Sequence, residues 1–386
     1  MTRLGSKLPF REAAEEVWYS CHVRVNEASL RQITHRHGVA AEALIKQEVE
    51  TLERDAQDAS ANPQKLLISV DGAFVQLTSG EWREVKSVAV GEFRTEWETG
   101  TWHSQVKTSQ LSYFSRSYPV REFERYALAE LHRRGVENAG KVVAVNDGAE
   151  WIQGFLDYHC PKATRIIDFA HAAGYVAQAG KAIWQEESLT FQDWFTAACH
   201  GLKHDPPQET IANLRLLLPK AKSDKQASLI DGAIFYLQSR LHMLDYAHFR
   251  HCGYPIGSGC IESGQKVVVQ RRMKGAGMRW AEHHLDPMLS LRNLVCNGTW
   301  ENGWRQIALY QQEQQLVKRI QSADARLSKN SPPPEPITFS SLDAVGLLPT
   351  VEKPDQTANL PQSNRPSSDH PWRNNIWPTY ESWRWN

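Results

Sequence analysis

Two short apolar runs, Leu66-Leu67-Ile68-Ser69-Val70 and Lys141-Val142-Val143-Ala144-Val145, lead almost at once to aspartate–glycine pairs, Asp71-Gly72 and Asp147-Gly148. Strands with no polar alternation are covered on both faces, so both runs belong at the centre of a sheet flanked by helices. Thr164-Arg165-Ile166-Ile167 is a third such run and ends in Asp168-Phe169-Ala170-His171. Open α/β sheets expose their sites at the carboxyl ends of strands, where these aspartates are expected. Between the first two runs, residues 82–94 and 102–114 are rich in Val, Phe, Trp and Thr, and Thr78-Ser79-Gly80-Glu81 has hairpin composition. The first three strands are therefore expected to form an antiparallel meander. An amphipathic helix over 121–134, stopped by Gly135, and a second helix from about Trp151 complete a β-β-β-α-β-α-β order.

The flanking segments are helical. Residues 10–58 carry three periodic stretches: 10–19, a second capped by Asn26 and ended by Gly38, and 39–54. A pair of short helices around His37-Gly38 admits a helix-turn-helix DNA reader. The acidic balance of 39–58 favours the competing reading, a packing or oligomerisation element. Residues 172–250 lose strand character and read as four helices, at 172–184, 189–202, 208–217 and 228–249. Two more are expected at 288–304 and 305–328. From Asn330 onward, Pro, Ser and Gln mark a flexible tail whose end is aromatic. The expected divisions are 1–62, a helical N-terminal region; 63–171, the first part of an α/β core; 172–252, an all-helical insertion; 253–328, the second part of the core; and 329–386, the tail.

The 386 residues suffice for two or three domains. No apolar run approaches the ~18–20 residues that span a bilayer, and the N-terminus lacks the apolar segment of a secretion signal. The six cysteines are scattered with no C-x-x-C pair, as expected of reduced thiols in a cytoplasmic protein. His248, His251, Cys252 and Cys260 match no usual zinc spacing. With a net charge of zero, nucleic-acid binding has to rest on local patches.

One such patch follows a glycine-rich turn. Gly253–Trp280 places Glu262 just after Gly257-Ser258-Gly259, then Lys266, Arg271, Arg272, Lys274, Arg279 and Trp280. Asp71, Asp147 and Glu262 each sit near glycine at an element end. Alone, each reads as a turn or solvated residue. Together they suit two-metal phosphoryl transfer, which needs hard oxygen ligands converging on two ions ~3.5–4 Å apart. The basic residues can neutralise phosphates, and Trp280 can stack on an unpaired base or pack in a core. Asp168 and His171, three apart, share a helix face if a helix begins there. They are candidates to orient a phosphate or shuttle a proton, against a capping aspartate and a partly buried histidine.

Several blocks resemble the ISKra-type insertion-sequence transposases, relatives of the Mutator-like DDE enzymes with a ribonuclease-H-like core. They are Val70-Asp71-Gly72-Ala73, Val145-Asn146-Asp147-Gly148-Ala149-Glu150-Trp151, Tyr254-Pro255-Ile256-Gly257-Ser258-Gly259-Cys260-Ile261-Glu262-Ser263, Arg271–Trp280 and Leu291-Arg292-Asn293. The resemblance covers about residues 63–305. It implies a ribonuclease-H-like mixed sheet interrupted by the helical insertion, and Asp71, Asp147 and Glu262 as the catalytic triad. It implies two Mg²⁺ ions, with Mn²⁺ an acceptable substitute, DNA as substrate and a homo-oligomer of at least two chains. Asp168 and His171 match the Asp-x-x-His element of Mutator-like enzymes. The stretch before the core is shorter than the family's, so the end-recognition region is expected to be reduced, truncated, or supplied by residues 10–58 and the tail. A nuclease without strand transfer and a catalytically silent DNA-binding copy are the rival readings.

Overall fold

The structure is a computed structural model that describes residues 1–55, 57–97 and 104–330. The chain falls into two units, Met1–Arg319 and Ile320–Asn386, and the expected tail from Ser331 lies outside the described residues. The N-terminal helices, the sheet and the helical insertion all belong to the first unit. It begins with α1 (Thr2–Gly5), α2 (Phe10–Cys21) and α3 (Glu27–Asp55), followed by strands β1 (Lys65–Gln76), β2 (Trp82–Trp97) and β3 (Ser104–Arg116). Then come α4 (Val120–Arg133), β4 (Lys141–Asn146), α5 (Glu150–His159), β5 (Thr164–Ile167) and α6 (Phe169–Lys181). Helices α7 (Leu189–His204), α8 (Pro207–Arg215), α9 (Asp224–Gln238) and α10 (Tyr246–His251) follow. Next are α11 (Gly259–Gly264), a π-helix (Gln265–Gln270) and α12 (Arg271–Met273). The last two are α13 (Leu285–Cys296) and α14 (Trp300–Asn330).

The five strands form one mixed sheet in the order β3-β2-β1-β4-β5. β1, β2 and β3 are antiparallel neighbours, while β4 and β5 run parallel to β1. The apolar runs of β1 and β4 are central, as their composition predicts. Leu67, Val143 and Val145 face a core shared with the insertion helices; Leu66, Ile68, Val70 and Ala144 face one built with α4 and α5. β1 does not stop at Asp71. It runs on to Gln76 because β2 pairs with it as far as Trp82, so Asp71 lies inside a strand and the hairpin stands beyond β4.

β3 is an edge strand, and α13 seals it. Side chains of α13 and of its C-cap accept N–H groups of β3 and of the residue after it: Asn297 Oδ1 from Tyr113 at 2.8 Å, Asn293 Oδ1 from Ser115 at 3.1 Å, and Asp286 Oδ1 from Ser117 at 2.6 Å. Covering an edge in this way removes a template for aggregation. Asn297-Gly298, with Gly298 at φ 70°, also ends α13 well before the helix boundary expected at Trp304. Likewise the single helix expected over 228–249 is two helices, because Asp245 caps a new start at α10 by accepting from His248 N–H at 3.1 Å.

The N-terminal region departs from expectation. Asn26 caps as predicted, accepting from Ser29 N–H at 2.7 Å, but α3 then continues through Gly38 as one helix. No turn separates two short helices there, so a helix-turn-helix at His37-Gly38 is excluded. Gly38 is needed for close approach: a Cβ there would stand 2.5 Å from the Pro287 carbonyl oxygen of α13. On an open helix Gly→Ala gains about 1 kcal/mol. Here Gly38→Ala is expected to lose about 1–3 kcal/mol through overpacking, read as a lower urea midpoint; a stabilised variant would mean that α3 and α13 do not meet this closely.

Candidate active site

The register of the sheet sets Asp71 and Asp147 side by side. Leu66 pairs with Val142 and Ile68 with Ala144 in the parallel β1–β4 ladder. Beyond the last ladder pair, Asn146 Oδ1 accepts from Val70 N–H at 2.5 Å, across the same separation of 76 residues. That offset carried one step further sets Asp147 level with Asp71. Both share the strand parity of Leu67, Val143 and Val145 and so point to the insertion side of the sheet. Glu262 reaches the same side on α11, whose Cys260 and Ile261 pack in that core. Gly264 allows the approach, since a Cβ there would lie 2.7 Å from the Tyr113 ring of β3.

Electrostatics agree with this convergence. Burial first, then the negative charges of Asp147, Glu84 and Glu262, push the Asp71 carboxyl up to about 6, against a lowering hydrogen bond from Gly72 N–H. None of the three carboxylates has an ion-pair partner among the described residues. Glu84, not anticipated from sequence, occupies the other face of the sheet over Gly72, where a Cβ would meet its Oε1. It is neutralised by Lys86 at 2.9 Å. Glu262 is exposed and Asp71 and Asp147 are half-buried. Among the described residues no three His, Cys, Asp or Glu side chains stand close enough to hold a metal ion in this conformation.

Of the two readings of Asp168, the capping one is seen in the fold. It is buried, and its carboxylate accepts from His171 N–H at 2.8 Å and from Ser258 N–H at 2.7 Å. It caps α6 and holds the glycine-rich turn that precedes Glu262. Phe169 N–H, donating to Ile256 O at 2.9 Å, doubles the attachment. The His171 ring does not meet the Asp168 carboxylate; it lies edge-on to Tyr175 and Tyr236, at 5.4 and 5.8 Å between centroids.

The insertion reaches the site through residues sequence reasoning missed. The Tyr236 hydroxyl donates to Asp147 O, and Arg240 Nη2 donates to Gly148 O at 3.3 Å. Gly148, at φ 82°, leaves no room for a side chain between Ile167, Tyr236 and Arg240. No spacing or motif announces a tyrosine on a remote helix, and an arginine just after that helix, as partners of this turn.

The basic block divides. Lys266, Arg271, Lys274 and Arg279 are exposed. Arg272 and Trp280 are not available to DNA: they are 2% and 6% exposed. Arg272 lies over the Phe10 and Trp280 rings and donates to Gly5 O at 3.0 Å, while Trp280 Nε1 donates to Met273 O at 3.2 Å. An amphiphilic side chain beside an apolar N-terminal helix is drawn into the core by its stem and ring contacts. The segment ending at Trp280 also bonds to the β1–β2 hairpin, Trp280 N–H to Gln76 O at 3.0 Å and Thr78 N–H to Trp280 O at 2.9 Å.

No family model and no curated protein matches the chain. Among the described residues, no helix is long and apolar enough to cross a membrane.

The raised Asp71 carboxyl has a consequence for stability. Its folded value exceeds the unfolded value of 3.8, so the folded state binds the proton more tightly. Stability from this group is full below about pH 4 and is lost as pH rises through about 6. Asp71→Asn is therefore expected to stabilise the protein at pH 8, by about 1–2 kcal/mol after discounting for partial exposure, and to leave it unchanged near pH 4. Thermal unfolding at the two pH values checks this.

Proposed function

We propose that the chain is a DDE transposase of the ISKra-like type that cuts and joins DNA at the ends of an insertion sequence. The observation that carries the reading is the delivery of Asp71, Asp147 and Glu262 to one end of one sheet face, the last only after the helical insertion. The sheet supports it as well. Three antiparallel strands followed by two strands parallel to the first are what a ribonuclease-H-like core requires of a β-β-β-α-β-α-β chain.

By donor chemistry the set suits a divalent cation: three hard-oxygen carboxylates with no cationic partner among the described residues, standing too far apart in this conformation to share one ion. Asp71, Asp147 and Glu262 would hold Mg²⁺, or Mn²⁺ in its place. When bound, the two ions supply activation of the attacking hydroxyl and stabilisation of the leaving oxygen. The protein's own residues do the positioning. Asn146 and the β1–β4 ladder keep the two aspartates level, Asp168 holds the turn before Glu262, and Tyr236 and Arg240 fix the Asp147 turn. Hydrolysis at a transposon end and attack of the freed 3′-hydroxyl on target DNA are both in-line displacements at phosphorus, so one site serves both. Lys266, Arg271, Lys274 and Arg279 are the grip on the phosphate backbone. Work on paired ends calls for at least a dimer, by analogy with such enzymes, in the cytoplasm at the nucleoid.

Full-length protein with Mg²⁺ and duplexes from the DNA flanking its gene is expected to give joined product. Cleavage without joining would point to a nuclease, and binding alone to a silent copy. Asp71→Asn is expected to remove chemistry by at least 10³-fold while binding DNA as the parent does; retained strand transfer would take Asp71 out of the site.

The exposed cations give a separate test. Lys274→Gln and Arg279→Gln should each weaken DNA binding across sequences and reduce the slope of log affinity against log salt by about one. An unchanged salt slope in the double variant would move the DNA path elsewhere.

A further inference from the structure

The helix that carries Glu262 is interrupted directly after it. Gln265–Gln270 is a π-helix between α11 and α12, a form that appears mostly as short bulges, often at functional sites. Its first residue, Gln265, is 3% exposed and donates from Nε2 to the main-chain carbonyl of Asp71 at 3.3 Å. Its Oε1 is buried with no hydrogen-bond partner. A half-satisfied buried amide costs stability that a leucine or methionine of similar size would not. Filling space therefore does not account for it. The wider turn is itself supported, since Arg292 of α13 donates to Val268 O at 3.2 Å, and also to Val267 O. These are carbonyls within the π segment. Arg292 in turn bonds Ser6 O at 3.1 Å.

We propose that Gln265 is a positioning residue of the carboxylate site: the π turn presents its amide to the main chain of Asp71, tying the Glu262 helix to β1 and setting the spacing of the first and third carboxylates. Arg292 is the brace that keeps the turn in its π form. An uninterrupted α-helix would turn the residues after Glu262 by a different amount and carry the amide away from Asp71. The inference rests on the assignment of Asp71 and Glu262 to one site, but the bond it concerns exists whether or not the site is catalytic.

The test uses the full chain with Mn²⁺ as the only added ligand. In Gln265→Leu, which keeps the volume and removes the donor, Glu262 is released: crystal structures of parent and variant are expected to show the Asp71 and Glu262 carboxyls further apart by an ångström or more, on the order of one misplaced side chain, and Mn²⁺ binding at constant pH to weaken at least tenfold. An unchanged separation in Gln265→Leu overturns the inference, even if the protein joins DNA. A changed separation in a protein that neither binds Mn²⁺ nor cuts DNA upholds the tie and overturns the transposase reading. Should Gln265→Leu unfold, Gln265→Met takes its place with the same two outcomes.

Discussion

The arrangement depends on one buried carboxylate, Asp168. The chain leaves the sheet at this residue, passes through the helical insertion, and comes back to it 90 residues later, where Ser258 N–H donates to Asp168 Oδ2. From Asp168 a line of hydrogen bonds crosses the sheet. Its own N–H donates to Asn146 O at 2.8 Å, and Asn146 Oδ1 takes the Val70 N–H. The turn before Glu262, the end of β4 and the middle of β1 are thereby set at one height. Closing so long a loop is entropically costly, and a charged acceptor taking two main-chain N–H groups is among the stronger ways to offset that cost.

What this geometry gathers is unfavourable for the isolated fold. Burial first, and then the negative charges of Asp147, Glu84 and Glu262, hold the Asp71 proton more tightly than in water. The surrounding structure over-determines the position of each. Gly148 is caught between Ile167, Tyr236 and Arg240; Glu262 is held from before by Asp168 and from after by Gln265. Under the proposed function, positions fixed in this way suit carboxylates that hold a cation.

The central strands were legible because short, almost wholly apolar runs have few alternatives, and the three acidic positions stood out by the glycines near them. What remained hidden were features set by contacts between distant segments. Gly38 looks like a helix terminator in sequence, yet Pro287 explains it, 249 positions away. Asp71 looks like a strand end because apolar residues stop at Val70, but a strand continues as long as its partner does, and β2 pairs to Gln76. Arg272 and Trp280 belong to a block whose composition suggests a solvated grip. Packing on Phe10 and the carbonyl of Gly5 separate Arg272 from Arg271 and Lys274, and the carbonyl of Met273 holds Trp280. Periodicity reports what a residue prefers, and these outcomes were decided by what arrives next to it.

The division of that block has a mechanical meaning. The buried members fasten the loop: Arg272 to the N-terminal helices, Trp280 to Met273 and, through its main chain, to the hairpin tip at Gln76 and Thr78. The exposed members, Lys274 and Arg279, are carried between those attachments. Because the hairpin is the continuation of the strand bearing Asp71, cations and carboxylate are joined through main-chain hydrogen bonds and one uninterrupted β-strand, with no flexible linker between them. Under the proposed function, a phosphate backbone gripped by the loop is held relative to Asp71 as well. Positioning of this kind reduces the orientational freedom that a displacement at phosphorus must otherwise lose on the way to its transition state.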